Sequence, residues 1–220
     1  MTGTYVDLVN RIADELLIGA TITTAQIKLE ILSAIQHYER ERFWFNEAQA
    51  TASTVSGVNS VAAPTDMLEI DTLDVTYGGR PYPVRRRDWA WYSRLGLRDT
   101  TVGRSVPGQY VYYNQTLFLY PVPNDAYVLL ISYVKQLTTL SADADTNAWT
   151  TDAEALIRTR ARQALKLNYQ NDDTAMQMVA AMEAAGKDYL SPLEELAYRS
   201  LMHSTTARVS SGRIASTPGF

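Results

Sequence analysis

The 220-residue sequence contains no cysteine. That excludes disulfides, thiolate nucleophiles and thiolate metal sites together. Histidine is nearly as scarce, with two residues, His37 and His203. One falls on a segment with helical spacing and the other in a Ser/Thr-rich tail, so neither a Ser/His/Asp constellation nor a set of three or four convergent metal donors can be built around them. No apolar run approaches the roughly 18 residues of a membrane span. The opening Met1-Thr2-Gly3-Thr4 lacks a basic n-region followed by an apolar h-region, so synthesis in the cytoplasm without a secretory signal is expected. Glycine-rich phosphate loops are missing as well. Gly78-Gly79 stands between two strand-like runs, and no glycine pattern precedes a helix.

Carboxylate pairs are present but do not add up to acid/base machinery. Asp71 with Asp74, and Asp143 with Asp145, read as solvated strand and loop acids. Asp143-Ala144-Asp145-Thr146-Asn147 begins like a calcium loop, yet it has neither the glycine at the sixth position nor the glutamate that closes such a loop. No catalytic, cofactor-binding or metal-ligating residue is therefore nominated, and the chain is not expected to be an enzyme.

What is there is an ordinary globular composition, 46% hydrophobic and 20% charged, of a length that fits one domain or one domain with an insertion. The net charge of −4 is unevenly placed. Residues 1–79 hold 4 basic against 11 acidic side chains, residues 80–104 hold 7 against 2, residues 105–195 hold 6 against 11, and the last 25 residues hold 3 arginines and no acid. An acidic body of this kind does not wrap DNA. Its two basic segments are suited to acidic partners.

Periodicity predicts helices at both ends of the chain. Val6, Val9, Ile12, Ala13 and Leu16 share a face over residues 5–18. After Gly19, Thr23 or Thr24 can cap a second helix over 23–45, striped by Ile27, Ile31, Ala34, Ile35 and Tyr38. A third helix is expected over 152–170 behind Thr151 or Asp152, with Leu156, Ile157, Ala161, Ala164 and Leu165 on its apolar face. A fourth is expected over 174–201, rich in alanine and interrupted at Pro192. The middle reads as strands. Gly57-Val58-Asn59-Ser60, Gly78-Gly79 and Asn114-Gln115 are turn signals between them, and Val128 to Val134 is β-branched and aromatic. Residues 203–220 cannot bury enough apolar surface to order themselves. The fold class expected is α+β and mainly helical. Residues 1–46 and 150–201 make a helical core, its N- and C-terminal helices forming a bundle. Residues 47–149 make an inserted, small antiparallel β-rich unit, and residues 202–220 an extended tail.

One segment stands out chemically. Arg85-Arg86-Arg87-Asp88-Trp89-Ala90-Trp91-Tyr92 interleaves cations with aromatics, and Arg85 to Leu95 is expected to form a short helix. Such a mixture binds single-stranded nucleic acid by phosphate neutralisation and stacking. It equally makes a subunit interface, where Trp, Tyr and Arg are the enriched anchors. The acidic remainder of the chain favours the interface, with Arg85, Arg86, Arg87, Trp89, Trp91 and Tyr92 as its residues.

The order of elements resembles the head-to-tail adaptor (connector) proteins of tailed bacteriophages, the family that includes the tail accessory factor of the P22-like podoviruses. The resemblance is carried by TYVDLVNRIADEL and TTAQIKLEILSAIQHYERERFWFNE as opening helices, by LFLYPVPNDAYVLLISYVKQL in the strand-rich centre, and by TNAWTTDAEALIRTRARQALKL opening the closing helices. It implies a structural virion protein of the neck, between capsid and tail. It implies a homo-oligomeric ring, usually of twelve subunits, with the portal protein above and other neck or tail proteins below. It also implies double-stranded DNA passing through the lumen without sequence-specific binding, no membrane and no cofactor. In related adaptors C-terminal segments reach onto the portal, which points to the tail and its Arg208, Val209, Arg213, Ile214 and Phe220 as a docking peptide. A stopper or tail-completion protein of the neck is the alternative within the same class, and a nucleic-acid-binding protein using Arg85 to Tyr92 the alternative outside it.

Overall fold

The computed structural model describes residues 3–16, 22–95, 103–169 and 194–202. Its elements run α1 (Tyr5–Glu15), α2 (Thr24–Tyr38), β1 (Glu47–Ser53), β2 (Ser60–Ala62), β3 (Met67–Tyr77), β4 (Arg80–Pro83), β5 (Arg85–Arg86), α3 (Trp89–Arg94), β6 (Gln109–Tyr113), β7 (Thr116–Tyr120), β8 (Val128–Lys135), α4 (Ala148–Thr151) and α5 (Glu154–Tyr169). Residues 194–202 are also helical. The fold is mixed α/β, and it is richer in sheet than the mainly helical expectation. The chain divides into two compact units, residues 1–45 with 137–220, and residues 46–136.

In the first unit, local chemistry sets the helix starts. Thr4 and Asp7 form a reciprocal capping box on α1, and Thr23 and Gln26 form one on α2. The first α1 amides are further satisfied from outside the helix: Tyr5 N–H donates to the Asp145 carbonyl at 2.9 Å and Val6 N–H to that of Asp143 at 3.0 Å. The apolar stripes then meet. Leu8, Val9 and Ile12 of α1, Ile27, Ile31 and Ala34 of α2, and Leu156, Ile157, Ala161 and Leu165 of α5 are buried in one core. Each fully buried aliphatic side chain contributes about 1.5–3 kcal/mol relative to exposure. At the edge of this core, Glu15 pairs with Arg158 (2.9 Å) and Arg162 (3.0 Å), and Arg11 with Glu154 (2.8 Å), tying α1 to α5.

Two boundaries differ from expectation here. The second helix was expected to reach residue 45 but ends at Tyr38. Residues 39–45 turn instead, because Phe43 and Phe45 then stack on each other and edge against Trp149. The insert was expected to extend to residue 149, whereas the second unit ends at Gln136. Residues 137–149 are poor in regular structure, but Leu140 and Trp149 are buried in the helical unit's core, with Leu137 packed against it. Asn147 caps α4 and so fixes where Trp149 enters. The expected helix over 174–201 lies largely outside the described residues, apart from 194–202. There the buried Glu194 carboxylate accepts from the Tyr38 hydroxyl and lies 3.5 Å from Arg160.

The second unit holds two four-stranded sheets, ordered β1-β8-β3-β4 and β2-β7-β6-β5. Strand alternation sends Leu73, Val75, Leu129, Ile131 and Tyr133 of the first sheet and Tyr110, Leu117 and Leu119 of the second into a single core. The turns follow from the residues present. Gly78 (φ 58°) and Gly79 (φ 76°) close β3 onto β4, and Asn114 (φ 49°) and Gln115 (φ 55°) close β6 onto β7. The pairing is antiparallel except at β5, which runs parallel to β6 for two residues and so departs from the all-antiparallel expectation. The reason is topological: the strand leaving β4 crosses to the second sheet without reversing. Val84 N–H still donates to Leu73 of β3 at 2.7 Å, while Arg85 N–H donates to the Gly108 carbonyl at 3.0 Å.

Candidate functional site

The arginine and aromatic segment is a strand followed by a short helix, not the single helix expected over Arg85 to Leu95. Arg85 and Arg87 donate their backbone N–H groups toward β6, Arg87 to the Tyr110 carbonyl at 2.8 Å. Asp88 then caps α3, accepting from Trp91 N–H at 2.6 Å. The cap turns the chain so that α3 lies on the face of the second sheet opposite the core, where β6 and β7 present Tyr113, Phe118 and Tyr120.

The contacts there are aromatic. Trp89 lies nearly parallel to Tyr113, with ring centroids 4.3 Å apart, and meets Phe118 at 5.4 Å. Trp91 meets Tyr120 edge-on at 5.6 Å, and the Arg87 guanidinium stands 5.6 Å from the Trp91 ring centre. Arg87 Nε also donates to Gln109 at 3.1 Å, which fixes that cation over the ring. Tyr92 is 6% exposed, and its hydroxyl accepts from Asn59 Nδ2 at 2.9 Å. Burial pushes its phenol above the ordinary range.

Six residues expected to act alike therefore divide. Arg85, Arg86, Arg87 and Trp89 are exposed, Trp89 by 40%. Trp91 is half-buried, and Tyr92 is buried, its ring near Phe118 and its hydroxyl bonded to Asn59. Sequence reasoning missed Tyr113, 51% exposed and stacked on Trp89, and it missed Arg94, exposed at the end of α3. Alternation in β6 could have revealed Tyr113, because Val111 and Tyr113 share a strand face.

Arg11, Lys28, Arg158, Arg160, Arg162 and Arg199 are all in ion pairs. Among the described residues, Arg80, Arg85, Arg86 and Arg94 make no ion pair. The docking residues nominated in the tail, Arg208, Val209, Arg213, Ile214 and Phe220, lie outside the described residues.

His37, Asp143 and Asp145 have structural contacts. His37 packs edge-on against Tyr38 at 4.7 Å. Asp145 accepts from Ser141 N–H and Ala142 N–H, both at 2.7 Å, and these bonds hold its carboxyl below the usual aspartate value. Asp143 pairs with Lys28 at 2.5 Å. The loop that begins like a calcium site thus serves to seat α1. No group of three or more metal-ligating side chains forms among the described residues, and no described helix is long and apolar enough to cross a membrane.

Comparison with curated proteins gave no match. The family described as SU10 adaptor protein matches residues 3–211, nearly the whole chain. Its span takes in both ends of the helical unit and the inserted β unit between them, and on that match the chain belongs to the SU10 adaptor protein family.

Proposed function

We propose that this protein is a structural virion component, the head-to-tail adaptor of a tailed phage. In this reading its copies form a ring, dodecameric by family analogy, beneath the portal. The ring extends the DNA channel and gives the other neck and tail proteins a platform. The family match over residues 3–211 is the observation that carries the reading. Duplex DNA passes through without sequence-specific contact, and the place of action is the virion neck.

The finer assignments are part of the same proposal. The terminal helices pack as a bundle that forms the body of the subunit. Arg85, Arg86, Arg87, Trp89 and Trp91 contact the neighbouring subunit, with Tyr92 supporting them from inside. The basic tail, through Arg208, Val209, Arg213, Ile214 and Phe220, docks on the portal as an extended peptide, and many weak copies on one ring give firm attachment. Truncation after Leu201 is expected to leave a folded subunit that no longer joins portal-bearing heads, as read by electron microscopy and co-sedimentation. Unchanged attachment of the truncated subunit removes the tail from the interface. Absence of a closed ring on portal-bearing heads with the full chain overturns the adaptor reading.

A second reading has one observation in its favour: the exposed Trp89–Tyr113 stack beside unpaired arginines suits single-stranded nucleic acid. Salt-dependent binding of a fluorescent single strand, lost in Trp89→Ala, supports that reading.

A further inference from the structure

The second unit carries its two charges on two different surfaces. Around α3 stand Arg85, Arg87 and Arg94, all exposed, whereas Arg86, in register with the core-facing Tyr110, turns to the other face of the second sheet. The first sheet presents the opposite sign. Because Ile70, Leu73 and Val75 enter the core, alternation and the two register shifts of β3 turn Glu69, Asp71 and Asp74 to the outward face. Glu47 of β1 joins them, lining one shallow cleft with Gln49, Asp71 and Ser132. No lysine or arginine occupies an outward position on β1, β3, β4 or β8: Arg80 lies opposite Tyr77 and Lys135 opposite Met67, both on the inward register. The two sheets share one core, and α3 covers the far side of the second sheet. The basic and acidic surfaces therefore lie on opposite sides of one body.

Resting on the ring reading above, we propose that the arginine surface of one copy docks on the acidic outward face of the first sheet of the next copy. A body with complementary charges on opposite sides cannot satisfy them on itself. It can satisfy them by repeated head-to-tail contact, which is the heterologous interface that cyclic rings require. Arg85 and Arg94, which make no ion pair, are the cations such a contact leaves available, and Trp89 with Tyr113 supplies apolar area beside them.

The test uses two charge-reversed full-length variants, Arg85→Glu/Arg94→Glu and Glu69→Arg/Asp74→Arg. Each alone presents the same sign on both surfaces. Ring yield at physiological salt, read by native mass spectrometry, is expected to fall by roughly tenfold or more for each. Mixed in equal amounts, the two should assemble into rings of alternating composition, because every contact then joins unlike charges. Co-assembly also shows that both variants are folded. Rings from either variant alone at wild-type yield overturn the pairing. So does a mixture that stays dissociated while both variants keep the wild-type circular dichroism and melting behaviour. Wild-type rings with failed co-assembly leave the adaptor reading standing without this contact, whereas no wild-type ring even on portal-bearing heads removes both.

Discussion

At the scale of single residues, the side chains that fix the fold are not those the composition advertises. Trp149 is 2% exposed, and its neighbours Phe43 and Phe45 come from the end of a segment expected to be helical. Trp149→Ala should cost about 3–5 kcal/mol in denaturant unfolding, the range for losing a large buried aromatic. Tyr38→Phe removes a hydroxyl donor from the buried Glu194 carboxylate and should cost about 1–3 kcal/mol by the same measurement. Asp145 offers a pH test with a definite sign. Its folded carboxyl is held below the ordinary value of 3.8 by the Ser141 and Ala142 amides, so the unfolded chain binds its proton first as pH falls. The stabilisation is fully present above that ordinary value and is lost as the pH falls through the lowered folded value. Asp145→Asn should therefore melt below wild type at neutral pH, with the gap narrowing in strong acid. The sequence reads Asp143 and Asp145 as solvated loop acids. It did not show that their loop caps α1, because that bond joins backbone groups about 140 positions apart.

At the scale of elements, those with a strong period were legible and those defined by a crossing were not. Helices α1 and α5, strand β8 and the two tight hairpins announce themselves through stripes, alternation and turn residues. The two-residue parallel pairing of β5 has no local signature, since it exists only because β4 hands the chain from one sheet to the other. The end of α2 at Tyr38 was hidden for a related reason. Residues 39–45 could continue a helix by propensity, and the burial of Phe43 and Phe45 beside a distant tryptophan overrides it. The hairpin at Asn114-Gln115 is strained at its second residue, which holds a glutamine at φ 55°. Gln115→Gly should stabilise the protein by about 1 kcal/mol, read as a higher denaturation midpoint with an unchanged slope. The Asp88 cap is the converse case. Asp88→Ala should cost about 1 kcal/mol and loosen α3 from β6 and β7. Tryptophan fluorescence should report it as freer quencher access to Trp89 and Trp91, while far-ultraviolet circular dichroism changes little.

At the scale of the whole molecule, the chain is one unit interrupted by another, and the interruption is joined at its neck. Lys135 N–H donates to the Asn46 carbonyl at 2.8 Å, and β1 pairs with β8 along the whole of β1. Replacing residues 46–136 by a short Gly/Ser linker should thus leave a product with the helical signature of α1, α2 and α5, and a product without helicity would count against two separable cores. The joined neck also has a consequence in polymer statistics. Bringing α2 to α5 through an unstructured connection of about 90 residues carries a closure entropy of about 4 kcal/mol, from the (3/2)RT ln n dependence on loop length. Once the insert has folded, that contour is short-circuited and the helices on either side behave as though joined by a hairpin. The insert then acts as a kinetic clasp. Weakening its core, for example by Ile131→Ala, should slow the appearance of the buried Trp149 environment in stopped-flow refolding, although Ile131 belongs to the other unit's core.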